Sequence, residues 1–251
     1  MYKKLAIVIV ILILKATSLF SSDVVFHNIN NRYGLSIRET NSVCRDHNGF
    51  IWASAKTGIL RISGNSYRLY PIPYEKANII TIKLTYNNNT LIAFTNNGQV
   101  FLYNEITDRF ELYHNIVRST GIDYLVINNL YTNGDTHWAA TTAGLFYLKG
   151  DKIVRISRDD TRDIIPYKNN KLLLAKNNQI LVLDSDSQTE TPIYTNTTEN
   201  PFIIFTMHYD ALNDQLWVGT ASSGLYCYDF TTKKMNAFNN QTFPKQLILA
   251  I

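Results

Sequence analysis

The sequence lacks the motifs that mark an enzyme or a metalloprotein. Its five histidines show no metal-ligand spacing, and there is no H-E-x-x-H, no C-x-x-C, no G-x-S-x-G and no glycine-rich phosphate loop. A glycosidase needs two carboxylates on one face, and no such pair can be assigned from the sequence. We therefore expect no catalytic residue, no metal and no cofactor in this chain.

Cysteine and net charge are also scarce. Cys44 and Cys227 are the two cysteines, and they fall on predicted strands that are not neighbours, so we expect two buried thiols rather than a disulfide. The formal net charge is +4, but three of the 24 basic residues lie in the first 22 positions, which leaves 21 basic against 20 acidic residues. This near-neutral balance gives no support for a nucleic-acid partner.

The first 22 residues have the pattern of a signal peptide. Lys3 and Lys4 form a basic start, an unbroken apolar run covers Leu5–Leu14, and small residues follow. The apolar run is short for a bilayer span, which favours cleavage and export. Lys15 interrupts the usual pattern, so a retained anchor stays open as an alternative.

A short cassette occurs three times in the remaining chain. Each copy has a polar turn, a strand with a tryptophan, a second turn that ends in glycine, and another apolar strand. The repeated positions are Asp46, Gly49, Trp52 and Gly58, then Gly134, Trp138 and Gly144, then Trp217, Gly219, Thr220 and Gly224. Because the three tryptophans occupy one repeat position, we interpret them as packing residues rather than ligand contacts.

Two weaker copies, around Ile92 and Leu172–Leu181, give a period of roughly 35 to 46 residues, which is typical of a β-propeller blade with four strands. We therefore predict an all-β fold in which 23–251 form a partial propeller, with five complete blades of a seven-bladed ring, incomplete at the C-terminus. The predicted blades are about 41–70, 79–113, 126–156, 163–194 and 202–238, and 246–251 would be the first strand of a sixth. No segment after residue 22 has the spacing of an amphipathic helix. An irregular β-sandwich is the alternative.

The pattern Asp46-x-x-Gly49-Phe50-Ile51-Trp52, followed by Gly58-Ile59, resembles the two-component regulator propeller repeat, as does Leu216–Thr220 with Gly224-Leu225. The resemblance implies the N-terminal periplasmic sensor region of a hybrid two-component histidine kinase, truncated here. It implies a non-catalytic module that binds an oligosaccharide and signals to a kinase absent from this chain. The parent would be a homodimer in the inner membrane, held by the signal segment or a C-terminal transmembrane helix.

The repeat is a folding motif, so the resemblance transfers no ligand-binding residue to this sequence. Loop tyrosines are the candidates for stacking on a sugar, namely Tyr33, Tyr74, Tyr124 and Tyr167. Two other functions stay open. One is a protein-interaction scaffold; the other is an extracellular lyase or glycosidase, in which His47, His137 and Glu75 would meet at the central channel.

Overall fold

The computed structural model describes residues 28–35, 37–74, 81–198, 201–238 and 246–251. The chain forms two compact units, Met1–Ser36 and Ile37–Ile251. The predicted signal peptide, 1–22, lies outside the described residues. In the first unit the described part is one short helix, α1 (Ile29–Tyr33), which begins at the cap Asn28 and ends at Gly34 in the left-handed conformation.

Twenty strands in the second unit form five four-stranded antiparallel sheets, each a meander in chain order. Blade one contains β1 (Ser42–Arg45), β2 (Ile51–Ala55), β3 (Gly58–Ser63) and β4 (Ser66–Tyr70). Blade two contains β5 (Ile82–Asn87), β6 (Thr90–Thr95), β7 (Gln99–Asn104) and β8 (Arg109–Asn115). Blade three contains β9 (Ile127–Asn133), β10 (Thr136–Thr141), β11 (Gly144–Lys149) and β12 (Lys152–Ser157). Blade four contains β13 (Asp163–Pro166), β14 (Lys171–Lys176), β15 (Gln179–Asp184) and β16 (Thr189–Thr195). Blade five contains β17 (Ile204–Asp210), β18 (Gln215–Thr220), β19 (Leu225–Asp229) and β20 (Lys234–Ala237).

The first strand of each blade lies at the centre of the fold. Strand β1 packs beside β5, β5 beside β9, β9 beside β13, and β13 beside β17. Sequential four-stranded meanders that share a central axis are a β-propeller. The predicted all-β propeller with five four-stranded blades is therefore confirmed, whereas the seven-bladed ring stays a prediction.

In the described part of the second unit, one helix interrupts the β-structure. Helix α2 (Ile116–Thr120) connects β8 to β9, begins at the cap Asn115 and ends at Gly121 in the left-handed conformation. The sequence periodicity missed α1 and α2 because five residues are too few to display a helical repeat. Only the caps, an asparagine before each helix and a glycine after it, mark them in the sequence.

The core consists of apolar layers between consecutive blades. Trp52 belongs to the layer between blades one and two, where its ring is 1% exposed and packs against Tyr70, Tyr103 and Phe110 at centroid distances of 5.3, 4.9 and 6.0 Å. Trp138 belongs to the layer between blades three and four and is also buried. Each layer joins side chains of two blades, so neither blade buries its apolar face alone.

The aspartate of the repeat holds the turn and the tryptophan together. One carboxylate oxygen of Asp46 accepts a hydrogen bond from the Phe50 amide at 2.9 Å. The other accepts one from the Trp52 indole N–H at 2.7 Å. The spacing Asp-x-x-Gly-x-x-Trp therefore closes the β1–β2 turn and fixes the indole ring that the neighbouring blade packs against.

The glycine after the second turn is required by close backbone contact. Gly58 has φ +138°, and a Cβ there would lie 2.6 Å from the Tyr70 carbonyl oxygen. Gly144 has φ +119°, and a Cβ would lie 2.0 Å from the Ser157 carbonyl oxygen. In both blades the third strand begins so close to the end of the fourth that no side chain fits.

Trp217 differs from the other two tryptophans. Its ring is half-buried and packs against the exposed Phe238 at a centroid distance of 5.2 Å. The face of blade five that carries it has no neighbouring blade among the described residues. The expected packing between blades is therefore seen for Trp52 and Trp138 and is not seen for Trp217.

Residues 246–251 carry no strand, so the first strand of a sixth blade stays a prediction. Their backbone nevertheless continues the blade-to-blade pattern, because the Ile248 amide donates to the Thr220 carbonyl oxygen at 3.0 Å. Thr161 donates in the same way to Thr141 at 2.9 Å, where blade four follows blade three. Gly219 allows this approach, since a Cβ there would lie 2.7 Å from Ile248 Cγ2.

The two cysteines are free, Cys44 on β1 and Cys227 on β19. Both are half-buried rather than buried, which corrects the expectation from the sequence. Burial is the main cause that raises the pKa of the Cys44 thiol to about 12, so this thiol is protonated and unreactive at neutral pH.

Replacement of the interblade tryptophan should destabilise the fold strongly. We expect Trp52→Ala to lower the free energy of unfolding by about 3–5 kcal/mol, because a large side chain is lost from a fully packed layer. Trp217→Ala is the matched control and should cost less than half as much. Urea unfolding followed by far-UV circular dichroism measures both, and equal losses would contradict the assigned difference in packing.

Candidate functional site

The loops that lead into the inner strands lie together at one end of the propeller. Each inner strand starts opposite the end of the second strand, as the pairs Ser42–Ser54 and Ile82–Thr95 show. The β2–β3, β6–β7 and equivalent turns are therefore at the same end as the loops that lead into β5, β9, β13 and β17.

A cleft of about 610 Å³ lies at this end, and we call it the loop cleft. It lies between the β6–β7 turn of blade two, helix α2 and the loop 121–126 that leads into β9. Its polar and aromatic lining comes from Asn96, Asn97, Gln99, Asn115, Arg118 and Tyr124. Among the described residues no carboxylate lines it, so this part of the chain presents amides, one guanidinium and one phenol to the cleft.

The walls of the loop cleft are held by local hydrogen bonds. Asn96 Oδ1 accepts from the Thr81 amide at 2.9 Å, and the carbonyl of Gly98 accepts from the Ile116 amide at 2.8 Å. A Cβ at Gly98, which has φ +84°, would lie 2.7 Å from Val117 Cγ2. The turn and the helix are therefore in direct contact, and the glycine is needed for that contact.

Tyr124 is the most unusual residue of the cleft. Its side chain is 97% exposed, and its backbone is in the left-handed region with φ +61°. A bulky residue seldom adopts this conformation, and such strain is concentrated at functional sites. The next residue, Leu125, is buried, and the Val126 amide donates to Thr142 Oγ1 at 3.0 Å, so the loop is anchored directly after the exposed ring.

The structure separates Tyr124 from the other predicted sugar-stacking tyrosines. Tyr167 lines a second cleft, of about 560 Å³, but its ring is already stacked on Phe230 and in edge contact with Tyr209, both at 5.0 Å. Tyr74 is exposed after β4 and lines none of the cavities described here. Tyr33 lies on α1, in the first unit.

The two described residues of the enzyme hypothesis are not brought together. His47 lies in the β1–β2 turn, where its Nδ1 is 2.7 Å from Tyr86 Oη. His137 is buried on β10, with its Nδ1 2.8 Å from Thr132 Oγ1. Neither lines the loop cleft, the cleft at Tyr167 or the cavity at the beginnings of the inner strands, and Glu75 lies outside the described residues. In the described part of the chain, no three His, Cys, Asp or Glu side chains are grouped to hold a metal ion.

A smaller cavity, of about 240 Å³, lies at the beginnings of the five inner strands, and we call it the central cavity. Every blade contributes to it. Its polar lining includes Ser42, Lys83, Asn128, Asn129, Arg162 and Asp163. The sequence did not indicate this site, because residues from five repeats form it. A polar residue at or near the start of each predicted inner strand was the signal that could have found it.

Hydrogen bonds between blades surround the central cavity. The Leu84 amide donates to Ser42 Oγ at 2.6 Å, and Lys83 Nζ donates to the Asn128 carbonyl oxygen at 3.0 Å. Asp163 then joins three blades, since its carboxylate accepts from Asn129 Nδ2 at 2.6 Å and from the Met207 amide at 2.7 Å. These bonds connect all five blades at the centre.

The solved structures that the chain resembles share this fold. The extracellular domain of BT4673 from B. thetaiotaomicron, described as a hybrid two-component system, superposes with a TM-score of 0.62 at 20% identity, over 83% of this chain and 29% of that one. PorZ of Porphyromonas gingivalis, a surface component of the type-IX secretion system, has a TM-score of 0.59 at 14% identity, over 80% and 28%. The WD40 propeller domain of Doa1 has a TM-score of 0.62 at 12% identity, over 84% and 71%.

These likenesses establish the fold. The chain is a β-propeller. It spans less than a third of the length of the BT4673 domain and of PorZ. No protein-family model and no curated protein matches the sequence. In the described part of this propeller, no helix has the length and apolar character needed to cross a bilayer.

A pair of buried histidines makes the propeller sensitive to acid. Burial is the main cause that lowers the pKa of His137 to about 4, and the neighbouring His114 lowers it further, while Asp135 opposes the shift. Burial likewise lowers the pKa of His114. Both imidazoles are therefore neutral at pH 7. At acidic pH, keeping them neutral in the folded state lowers the free energy of unfolding.

The folded state should lose stability as the pH falls from about 6.5 towards 4. In this window the unfolded chain protonates His137 and the folded chain does not, so the loss from this residue reaches roughly 3 kcal/mol near pH 4. His137→Gln should reduce the difference in unfolding free energy between pH 7 and pH 4.5, whereas the exposed His208→Gln should leave it unchanged. Urea unfolding at both pH values is the measurement, and an identical decrease in all three proteins would exclude His137 as the cause.

Proposed function

We propose that this chain is the propeller part of an exported, non-catalytic sensor and that it binds an oligosaccharide in the loop cleft. The exposed, strained Tyr124 beside a row of amide side chains is the observation that carries this proposal. The repeat pattern around Asp46 and Trp52, which resembles the two-component regulator propeller repeat, and the fold likeness to an extracellular domain of a hybrid two-component system support the sensor role.

The chemistry of the loop cleft suits a neutral sugar. A pyranose ring has apolar C–H faces and a rim of hydroxyl groups that both donate and accept. Tyr124 offers an exposed aromatic face for the C–H groups. The Nδ2 groups of Asn96 and Asn97 can donate to sugar hydroxyl oxygens, while their Oδ1 atoms already accept hydrogen bonds within the protein. The volume of about 610 Å³ is that of a small-molecule site.

The backbone around Tyr124 favours binding with little loss of conformational freedom. The ring is placed outward by the left-handed backbone, while Leu125 and the Val126 amide fix the following residues. A contact residue that is held before the ligand arrives lowers the entropy cost of binding. The strain at Tyr124 is then explained by ligand recognition rather than by the needs of the fold.

The position of the cleft also suits signalling. Its walls belong to blade two, to α2 and to the loop that enters β9 of blade three, so a ligand there would bridge two blades. In our proposal this bridging changes how the blades pack, and the change passes to a kinase elsewhere in a longer, dimeric parent protein of the inner membrane. The propeller itself would lie in the periplasm.

Removal of the Tyr124 ring should abolish most of the sugar binding. We expect Tyr124→Ala to weaken the best ligand from a panel of neutral oligosaccharides by at least about tenfold, because the aromatic contact is lost. Isothermal titration calorimetry and the ligand-induced shift in melting temperature measure the effect.

Tyr67→Ala is the matched control, since Tyr67 is an exposed tyrosine on β4 that lines none of the cavities described here. The Tyr67→Ala variant should bind the oligosaccharide as tightly as the unmodified chain does. No response to any oligosaccharide, together with a co-purifying protein that Tyr124→Ala releases, would reject the sugar sensor in favour of the protein-interaction scaffold.

A further inference from the structure

The central cavity has hydrogen-bond donors without partners. Asn41 Nδ2 and Arg162 Nε are both buried from solvent and make no hydrogen bond in the structure. They come from blades one and four, immediately before β1 and β13, and both residues line this cavity. A buried polar group without a partner costs stability, so two such donors at one cavity call for an explanation.

The carboxylates at and beside the cavity, in contrast, already accept hydrogen bonds from the protein. Both oxygens of Asp163 accept hydrogen bonds, one from Asn129 Nδ2 and the Ile164 amide, and the other from the Met207 amide. The nearby Asp160 is paired with Arg162 Nη2 at 2.6 Å. The carboxylates of the site therefore hold the blades together and leave a surplus of donors towards the cavity.

Lys83 adds a cation with unused donor capacity. Its ammonium group makes one hydrogen bond, to the Asn128 carbonyl oxygen, out of the three that it can donate. Burial lowers the pKa of Lys83, and Asp163 only partly opposes this shift. A further acceptor with negative charge beside Lys83 would stabilise the ammonium form.

Part of the lining is apolar. Leu84, Phe94, Phe205 and Leu249 line the same cavity as Lys83. The volume of about 240 Å³ is that of several water molecules, each of which takes about 30 Å³ in the liquid. The space is therefore too large for a single small ion and suits a compact molecule with an apolar body and an anionic end.

We propose that the central cavity is a second ligand site, which binds the carboxylate group of a compact acidic molecule. Lys83 supplies the positive charge, and Arg162 Nε and Asn41 Nδ2 donate to the carboxylate oxygens. The molecule is either an acidic sugar or a non-sugar carboxylate, since both present the same group. Because the residues come from blades one, two and four, the bound carboxylate would connect blade four with blades one and two, which do not follow or precede it directly. This site is independent of the sugar site at Tyr124.

The test compares three probes of similar size on the purified chain. Glucuronate is an acidic sugar, cyclohexanecarboxylate is a non-sugar acid, and glucose is the neutral counterpart of glucuronate. We expect at least one acid to raise the melting temperature and to give a titration isotherm that glucose does not reproduce. A response to glucuronate alone identifies an acidic sugar, and a response to cyclohexanecarboxylate alone or to both identifies a carboxylate site that does not need the sugar hydroxyls. Equal responses to all three, or none, would overturn the proposal.

Variants then locate the binding. Lys83→Met should weaken the acid by at least about tenfold, while Lys152→Met, at an exposed lysine on β12, should not. Asn41→Ala removes one unpartnered donor without touching the charge and should weaken the acid several-fold, which provides a second test if Lys83→Met does not fold. Acid binding that survives both changes would refute the site.

Tyr124→Ala distinguishes this proposal from the sugar sensor. Acid binding should persist in Tyr124→Ala and neutral-sugar binding should persist in Lys83→Met. Loss of acid binding in Tyr124→Ala would assign the acid to the loop cleft and overturn the central site, whatever the outcome for neutral sugars.

Discussion

A four-stranded sheet has two faces. In this fold one face is covered chiefly by the preceding sheet in the series and the other by the following sheet. Trp52 shows the consequence, because its ring belongs to blade one and most of its aromatic contacts belong to blade two. The stability of a blade is thus shared with its neighbours. Where no neighbouring blade is described, large apolar side chains are exposed, as for Val43 on β1, at 62%, and Phe238 after β20, at 50%.

Side chains of neighbouring blades also form hydrogen bonds and ion pairs, which depend on geometry more than apolar packing does. Asp108 in blade two accepts hydrogen bonds from Tyr70 of blade one and from Tyr103, and it forms ion pairs with Arg61 and Arg68 of blade one. Lys176 of blade four, 3% exposed, pairs with Glu190 and donates to Ser157 Oγ of blade three at 2.8 Å. Lys176 is the buried charge among these groups, and a buried charge needs a well-formed partner, so its contact with Ser157 favours one arrangement of blades three and four.

The sequence was sufficient for the parts of the structure that repeat. The spacing of Asp46, Gly49 and Trp52 predicted a turn and a packed strand, and the structure adds the two hydrogen bonds that explain the spacing. Residues that act alone were less predictable. Tyr124 was one of four equivalent candidates, because neither its left-handed backbone nor its exposure can be read from a tyrosine in a loop. The central cavity was invisible because it depends on which ends of five strands meet.

The hydrogen bonds from Thr161 to Thr141 and from Ile248 to Thr220 bear on how such a chain is built during synthesis. In each case the last residue of a second strand offers a carbonyl oxygen to the residues that follow the completed blade. A finished blade thus presents a carbonyl oxygen to which the first residues of the next segment can donate a hydrogen bond. Assembly can then proceed vectorially, one blade at a time, with each addition extending an ordered surface instead of awaiting the whole chain.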